Sequence, residues 1–150
     1  MRQLERRSVE SFLPLYDSVR RWKDRRIRLQ LPVFPGYIFV RLALRDRLRV
    51  LEIPSVVRLV GFGGHPTPLP AEEIETIRSC IARHQFLVPS RYVRRGQRVR
   101  MSSGPLEGLT GVVVRQKNRT RFVISLELLM RSVAVEIDRA DFDPRPNLQI

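Results

Sequence analysis

Arg20, Arg21, Trp22, Lys23, Arg25 and Arg26 place five cations and an indole within seven residues. Such a group does non-covalent chemistry. Guanidinium forks bind phosphate, and an indole stacks on a base. The same composition also suits a solvated hairpin tip, and both readings stand at this point. Base-specific readout is not expected from either. Residues suited to covalent chemistry are sparse. His65 lies in a Gly/Pro loop and His84 near a helix end, and spacing ties neither to a Cys or Ser nucleophile. Glu72, Glu73 and Glu75 read as an acidic helix start. The Gly61 to Gly64 stretch lacks the Lys-Ser/Thr that completes a phosphate loop. Two histidines and the lone Cys80 cannot build a usual zinc site. The sequence therefore predicts no catalytic residue, no metal and no cofactor, and a protein that is not an enzyme.

A chain of 150 residues allows one ordinary domain or two small ones, and 43% hydrophobic residues suffice for a folded core. The formal charge of +13 favours anionic partners, nucleic acid first. Both halves carry the excess: 16 basic against 9 acidic residues in 1–90, and 12 against 6 in 91–150. The start, Met1-Arg2-Gln3-Leu4-Glu5, has no signal-peptide core, and no apolar run approaches the roughly 20 residues of a membrane span. A single cysteine suits a reducing compartment. The expectation is a cytoplasmic protein with no membrane partner.

Several elements must position these residues. Residues 2–9 read as the last turns of a helix, with Leu4 as its apolar residue. A strand over 12–16 leads into a cationic loop over 17–26. The alternation of Ile27, Leu29 and Leu31 with Arg28 and Gln30 predicts a half-buried strand. Next comes the apolar run Val33-Phe34-Pro35-Gly36-Tyr37-Ile38-Phe39-Val40. It reads as a buried strand from Tyr37 onward, entered through a bend at Pro35-Gly36. Leu44, Leu48 and Leu51 recur at helical spacing in a basic segment over 41–51. A strand is expected over 55–60 and a loop over 61–70. A helix is expected over 71–83, opened by Pro70, Glu72 and Glu73, with Ile74, Ile77 and Ile81 as its buried stripe. After a basic stretch, only strands follow, over 97–101, 111–116, 121–125 and 132–137. Their Gly-rich turns suggest a small closed barrel.

Three blocks carry a family resemblance in order. Phe34-Pro35-Gly36-Tyr37-Ile38-Phe39-Val40 resembles the signature strand of the NusG family of transcription elongation factors. Pro54-Ser55-Val56-Val57-Arg58-Leu59-Val60-Gly61-Phe62 resembles the strand that follows it. Gly96-Gln97-Arg98-Val99-Arg100 through Gly104-Pro105-Leu106-Glu107-Gly108-Leu109-Thr110-Gly111-Val112-Val113 resembles the family's KOW motif. The implied fold is α+β: an N-terminal NGN domain, ferredoxin-like, followed by an SH3-like KOW barrel. The implied boundaries are 1–86 for the first domain, 87–95 for a linker, 96–143 for the barrel and 144–150 for a tail. The NGN pattern has a first strand and a full first helix ahead of Leu4, so the resemblance implies a first domain truncated at its N-terminus.

By resemblance, Phe34, Pro35, Tyr37 and Phe39 dock on the clamp of RNA polymerase to suppress pausing or termination. Aromatic residues of this kind supply much contact area at low entropic cost. The Arg20 to Arg26 group then lies near the nucleic acid of the elongation complex. Gly104, Gly108 and Gly111 shape the loop between the first two barrel strands. Leu128, Leu129, Met130 and Arg131 form the barrel's recruiting tip, with Rho or a small-subunit ribosomal protein as candidate partners. Leu126-Glu127-Leu128-Leu129-Met130-Arg131 departs from the housekeeping Ile-Phe-Gly-Arg-like pattern. That departure implies a specialised paralogue. The resemblance implies a role in transcription elongation and antitermination, and the expected state is a monomer. The alternative class is a ribosome-associated RNA-binding KOW protein, which has no reason to carry Phe34-Pro35-Gly36-Tyr37 on a separate α+β domain.

Overall fold

The computed structural model describes residues 1–94 and 97–141. It is a mixed α+β fold with few helices and a five-stranded antiparallel sheet, divided between Pro68 and Leu69 into two compact units.

The first unit opens with helix α1 (Arg2–Arg6). Ser8 follows in the left-handed region at φ 56°, where Ser8 N–H reaches Glu5 O and Val9 N–H reaches Leu4 O. These two bonds satisfy carbonyls the short helix leaves open, and they bring Val9 back beside Leu4. Leu4 and Val9, with Val50 and Ile53, form the unit's core, against which Ile38, Val40, Leu42, Val56 and Leu59 pack. Strand β1 (Glu10–Phe12), β2 (Leu15–Trp22), β3 (Arg25–Pro32) and β4 (Phe39–Arg41) follow. β1 pairs with β4, and β2 with β3. A 3-10 turn (Leu44–Asp46) and helix α2 (Leu48–Leu51) lead to a small hairpin of β5 (Gly61–Phe62) and β6 (His65–Pro66).

Four expectations change here. The cationic loop over 17–26 shrinks to Lys23-Asp24, because β2 runs to Trp22 and β3 starts at Arg25. A positive φ of 47° at Lys23 lets two residues reverse the chain. The segment 55–60 is not a strand: it has no ladder partner among the described residues, and Val57 is 94% exposed. Leu44, Leu48 and Leu51 face outward, and Val50 enters the core instead. The change from a 3-10 turn to an α-helix at Arg47 rotates the leucines off a common inward face. Finally, the paired strands form three separate two-stranded ladders rather than one ferredoxin-like sheet.

The second unit holds helix α3 (Ala71–Ala82), β7 (Val88–Ser90), β8 (Gln97–Arg100), β9 (Thr110–Gln116), β10 (Arg119–Leu126) and β11 (Arg131–Ile137). The strand order is β7-β11-β10-β9-β8, all antiparallel. Among the described residues its hydrogen-bonded ladder therefore ends at β7 and β8, where the sequence suggested full closure. Alternating faces of β10 are both buried: Phe122, Ile124 and Leu126 on one, Val123 on the other. Helix α3 packs against β10 through a buried stripe of Thr76, Ile77 and Cys80, with Ile74 and Ile81 half-buried beside it. The Thr76 hydroxyl donates to Glu72 O at 2.8 Å, so its burial leaves no donor unmet. The helix stops at His84, φ 57°, with Gln85 N–H on Cys80 O and His84 N–H on Ile81 O. Arg83 reaches the carbonyls of Pro105 and Glu107 at 3.3 and 2.8 Å. Helix α3 thus belongs with the sheet, whereas the sequence placed it in a first domain ending at residue 86.

The expected linker over 87–95 also contributes structure. Val88–Ser90 is an edge strand on β11, and Leu87 is buried. A side-chain network then fixes Val93: its N–H donates to Ser132 Oγ at 3.0 Å, its carbonyl accepts from Ser125 Oγ at 2.9 Å, and the two hydroxyls meet at 2.7 Å. The expected tail over 144–150 lies outside the described residues.

Candidate docking and nucleic-acid surfaces

Phe34-Pro35-Gly36-Tyr37 is a tight turn, closed by Tyr37 N–H on Phe34 O at 3.1 Å. Pro35 presets its first corner, and Gly36 takes the second at φ 85°, which a side chain would strain. The four sequence-predicted residues separate here. Phe34 is 1% exposed and meets the Phe39 ring edge-on at 5.4 Å. Phe39, opposite Phe12 in the ladder, lies 6.1 Å from that ring. Pro35 is exposed; Tyr37 and Phe39 are half-buried. Phe34 therefore supports the patch from beneath instead of lying on it. Strand alternation sends Val40 to the opposite face, into the core. The proline, the tyrosine and part of Phe39 remain on a rigid turn braced by an aromatic cluster.

The β2–β3 ribbon displays the cationic group. Directly paired residues share a face, so Tyr16, Ser18, Arg20 and Trp22 lie with Leu31, Leu29, Ile27 and Arg25. The other face carries Asp17, Val19 and Arg21 opposite Gln30, Arg28 and Arg26. Trp22 is 66% exposed at the free end, beside Lys23. Gln30 and Asp17 share a long hydrogen bond of 3.5 Å. Among the described residues, Arg20, Arg21, Arg25, Arg26 and Arg28 have no carboxylate partner.

In the second unit, Gly104 and Gly108 adopt φ 77° and 82° in the loop after β8, where Gly108 N–H bonds Met101 O. Gly111 has a different task. A Cβ there would stand 2.5 Å from the Phe122 ring, so its bare backbone makes room for the largest side chain inside the sheet. The predicted recruiting tip is also mixed. Leu129 is buried and Leu128 half-buried, while Met130 is 60% exposed and Arg131 exposed. Met130 sits in the left-handed region at φ 50° after a 3-10 turn (Glu127–Leu129), which turns its side chain outward.

Two described titratable groups are shifted, both by burial. Burial pushes the Cys80 thiol up to about 11, which leaves it protonated and unreactive at neutral pH. Burial also raises the Glu73 carboxyl, against the lowering effect of Arg98. Sequence reasoning missed the Ser125–Ser132 clamp on Val93, for which no local pattern existed. It also missed the outward leucines of the segment 44–51, where spacing reported a shared face but not its direction.

The family model described as transcription termination factor nusG matches residues 1–78, more than half of the chain. Similar curated proteins are transcription termination/antitermination proteins NusG. That of Campylobacter jejuni is 26% identical over 138 residues, covering 89% of this chain and 77% of that protein. That of Buchnera aphidicola is 25% identical over 146 residues, covering 92% and 79%. That of Escherichia coli K12 is 27% identical over 135 residues, covering 86% and 74%. A family match over the signature turn and its supporting core, with relatives that align along most of both chains, leads to one conclusion: the chain belongs to the NusG family of transcription termination/antitermination factors.

Proposed function

We propose that the chain binds RNA polymerase through the turn at Pro35 and Tyr37, with Phe39 at its margin, and suppresses pausing or termination by holding the clamp in its elongating state. A surface that binds one conformer better than another shifts the population toward it. The observation that carries this reading is the aromatic bracing of the Phe34–Tyr37 turn, which displays Pro35 and Tyr37 on a preformed backbone. Preorganisation lowers the ordering cost of binding. The second unit would act as the KOW domain and recruit a second factor, Rho or a small-subunit ribosomal protein, through Leu128, Met130 and Arg131 over the buried Leu129. Tethering both contacts on one chain raises their effective concentration.

Capture of purified RNA polymerase by the full chain tests the docking surface. Wild type is expected to be captured. Tyr37→Ala, folded by circular dichroism, should bind about 30-fold more weakly, the loss typical of a binding hot spot. Equal capture of both forms, or no capture of wild type, overturns the proposal. Phe34→Ala is unsuitable as the interface variant, because Phe34 is buried and its loss would unfold the patch.

A further inference from the structure

The free end of the β2–β3 ribbon brings together three features that docking on polymerase does not use. Trp22, Arg25 and Arg20 lie on one face, Trp22 directly opposite Arg25 and Arg20 two residues back along β2. Same-face neighbours along a strand stand roughly 7 Å apart, and direct cross-strand neighbours about 5 Å. The indole is mostly exposed and walls an open cleft of about 410 Å³ with Lys23, Asp24 and Arg25. On the reverse face, Arg21 stands directly opposite Arg26, a like-charge pair that destabilises an isolated ladder. These guanidiniums have no carboxylate partner among the described residues, so their charge is not neutralised there and is open to an anion from outside.

We propose that the ribbon tip is a binding site for single-stranded nucleic acid, with one unstacked base on the Trp22 indole and the flanking phosphates on Arg20 and Arg25. An indole needs an open base face to stack on, and a single strand offers one at every nucleotide. Within a duplex those faces are covered by neighbouring base pairs, and only the charge of the backbone remains to be read. Lys23 and Asp24 in the cleft wall carry opposite charges, so beside the ring the indole face itself, and not a net charge of the turn, is the surface a base can cover. Arg21 and Arg26 on the reverse face add long-range attraction but no contact to the stacked nucleotide. The inference deepens the reading that this ribbon lies near nucleic acid in the elongation complex, yet its test needs no polymerase.

Trp22 is the only tryptophan of the chain, so its fluorescence reports this site alone. The full chain is titrated with dT and rU oligomers of about 12 nucleotides, within the usual single-strand site size, and with a duplex of equal length. Both single strands are expected to quench Trp22, and the duplex to leave it bright. With labelled oligomers, Trp22→Leu should bind about 5- to 150-fold more weakly, and Trp22→Phe should recover part of the loss. Arg20→Gln with Arg25→Gln should reduce the log–log salt slope by about 1.4, the value for two phosphates on a single strand. Absence of binding, binding without quenching, equal quenching by duplex, or a Trp22→Leu variant of wild-type affinity each overturns the proposal. Polymerase capture by Trp22→Leu is measured in parallel. Intact capture with lost oligomer binding separates this site from the Tyr37 surface, and quenching without capture refutes the docking reading alone.

Discussion

The β2–β3 ribbon and the β10–β11 pair are the same object geometrically. Each is a long antiparallel ladder, with eight and seven residue pairs respectively. Their surroundings differ completely. In β10 both alternating faces are buried, and Phe122, Val123, Ile124 and Leu126 meet Val135, Ala134, Val133 and Arg131 across the ladder. In the ribbon only Ile27, Tyr16, Ser18, Leu31 and Pro32 are even half-buried, and arginines fill the outer half. Backbone pairing alone stabilises an isolated two-stranded ladder marginally at best. The sheet gains its stability from apolar area removed from water. The ribbon has little of that, and its side chains are left available for something else.

The sharpest way to break this comparison is to remove what the sheet has and the ribbon lacks. Phe122→Ala deletes a fully buried ring and leaves a cavity beside the bare backbone of Gly111. It should destabilise the second unit by about 3–5 kcal/mol, read as a shift of its denaturant midpoint. Trp22→Leu in the ribbon should leave the denaturant midpoint of the first unit, to which it belongs, unchanged. If both substitutions cost the same, the ribbon's aromatic is packed and the contrast fails.

A smaller effect tests how the chain before β8 is held. Ser132→Ala removes the hydroxyl that accepts Val93 N–H and meets Ser125 Oγ. A buried donor without its partner costs about 1–3 kcal/mol. Amide exchange at Val93 should accelerate, while exchange along the β10–β11 centre should change far less. Uniform acceleration over the whole sheet would mean that the network belongs to the core and not to the fastening of residues 88–93.

These contrasts also explain what the sequence could disclose. The strands over 97–101, 111–116, 121–125 and 132–137 were legible to within a few residues, because the last three carry nearly continuous apolar runs and the first alternates exposed arginines with buried Val99 and Met101. The bend at Pro35-Gly36 was legible because each residue admits few backbone states. The ribbon's length was not. Arginine is compatible with an exposed strand, so a cationic stretch looks like a loop until its register is known. The position of α3 was hidden for another reason. Periodicity identifies the stripe containing Ile77, but nothing in it says which sheet the stripe will cover. Of the candidate docking residues, types and order were readable, whereas the division into a buried Phe34 and a partly exposed Tyr37 needed the turn itself. The same holds for Gly111, read as a loop former and found to be space for Phe122.

The smallest effect carries the most information, because its two readouts have opposite signs. Arg21→Glu converts the Arg21–Arg26 pair from like to opposite charge on one face of the ribbon. Opposite-charge cross-strand pairs contribute roughly 0.2–1 kcal/mol, so amide exchange along β2 and β3 should slow modestly. Single-stranded nucleic acid should bind more weakly and with a shallower salt dependence, because the substitution removes one positive charge and adds one negative charge. A ribbon arranged for its own stability would gain in the first readout and lose nothing in the second. If exchange slows and binding weakens together, the unpaired arginines hold the ribbon below the stability its pairing could reach, in return for affinity toward an anion outside the fold.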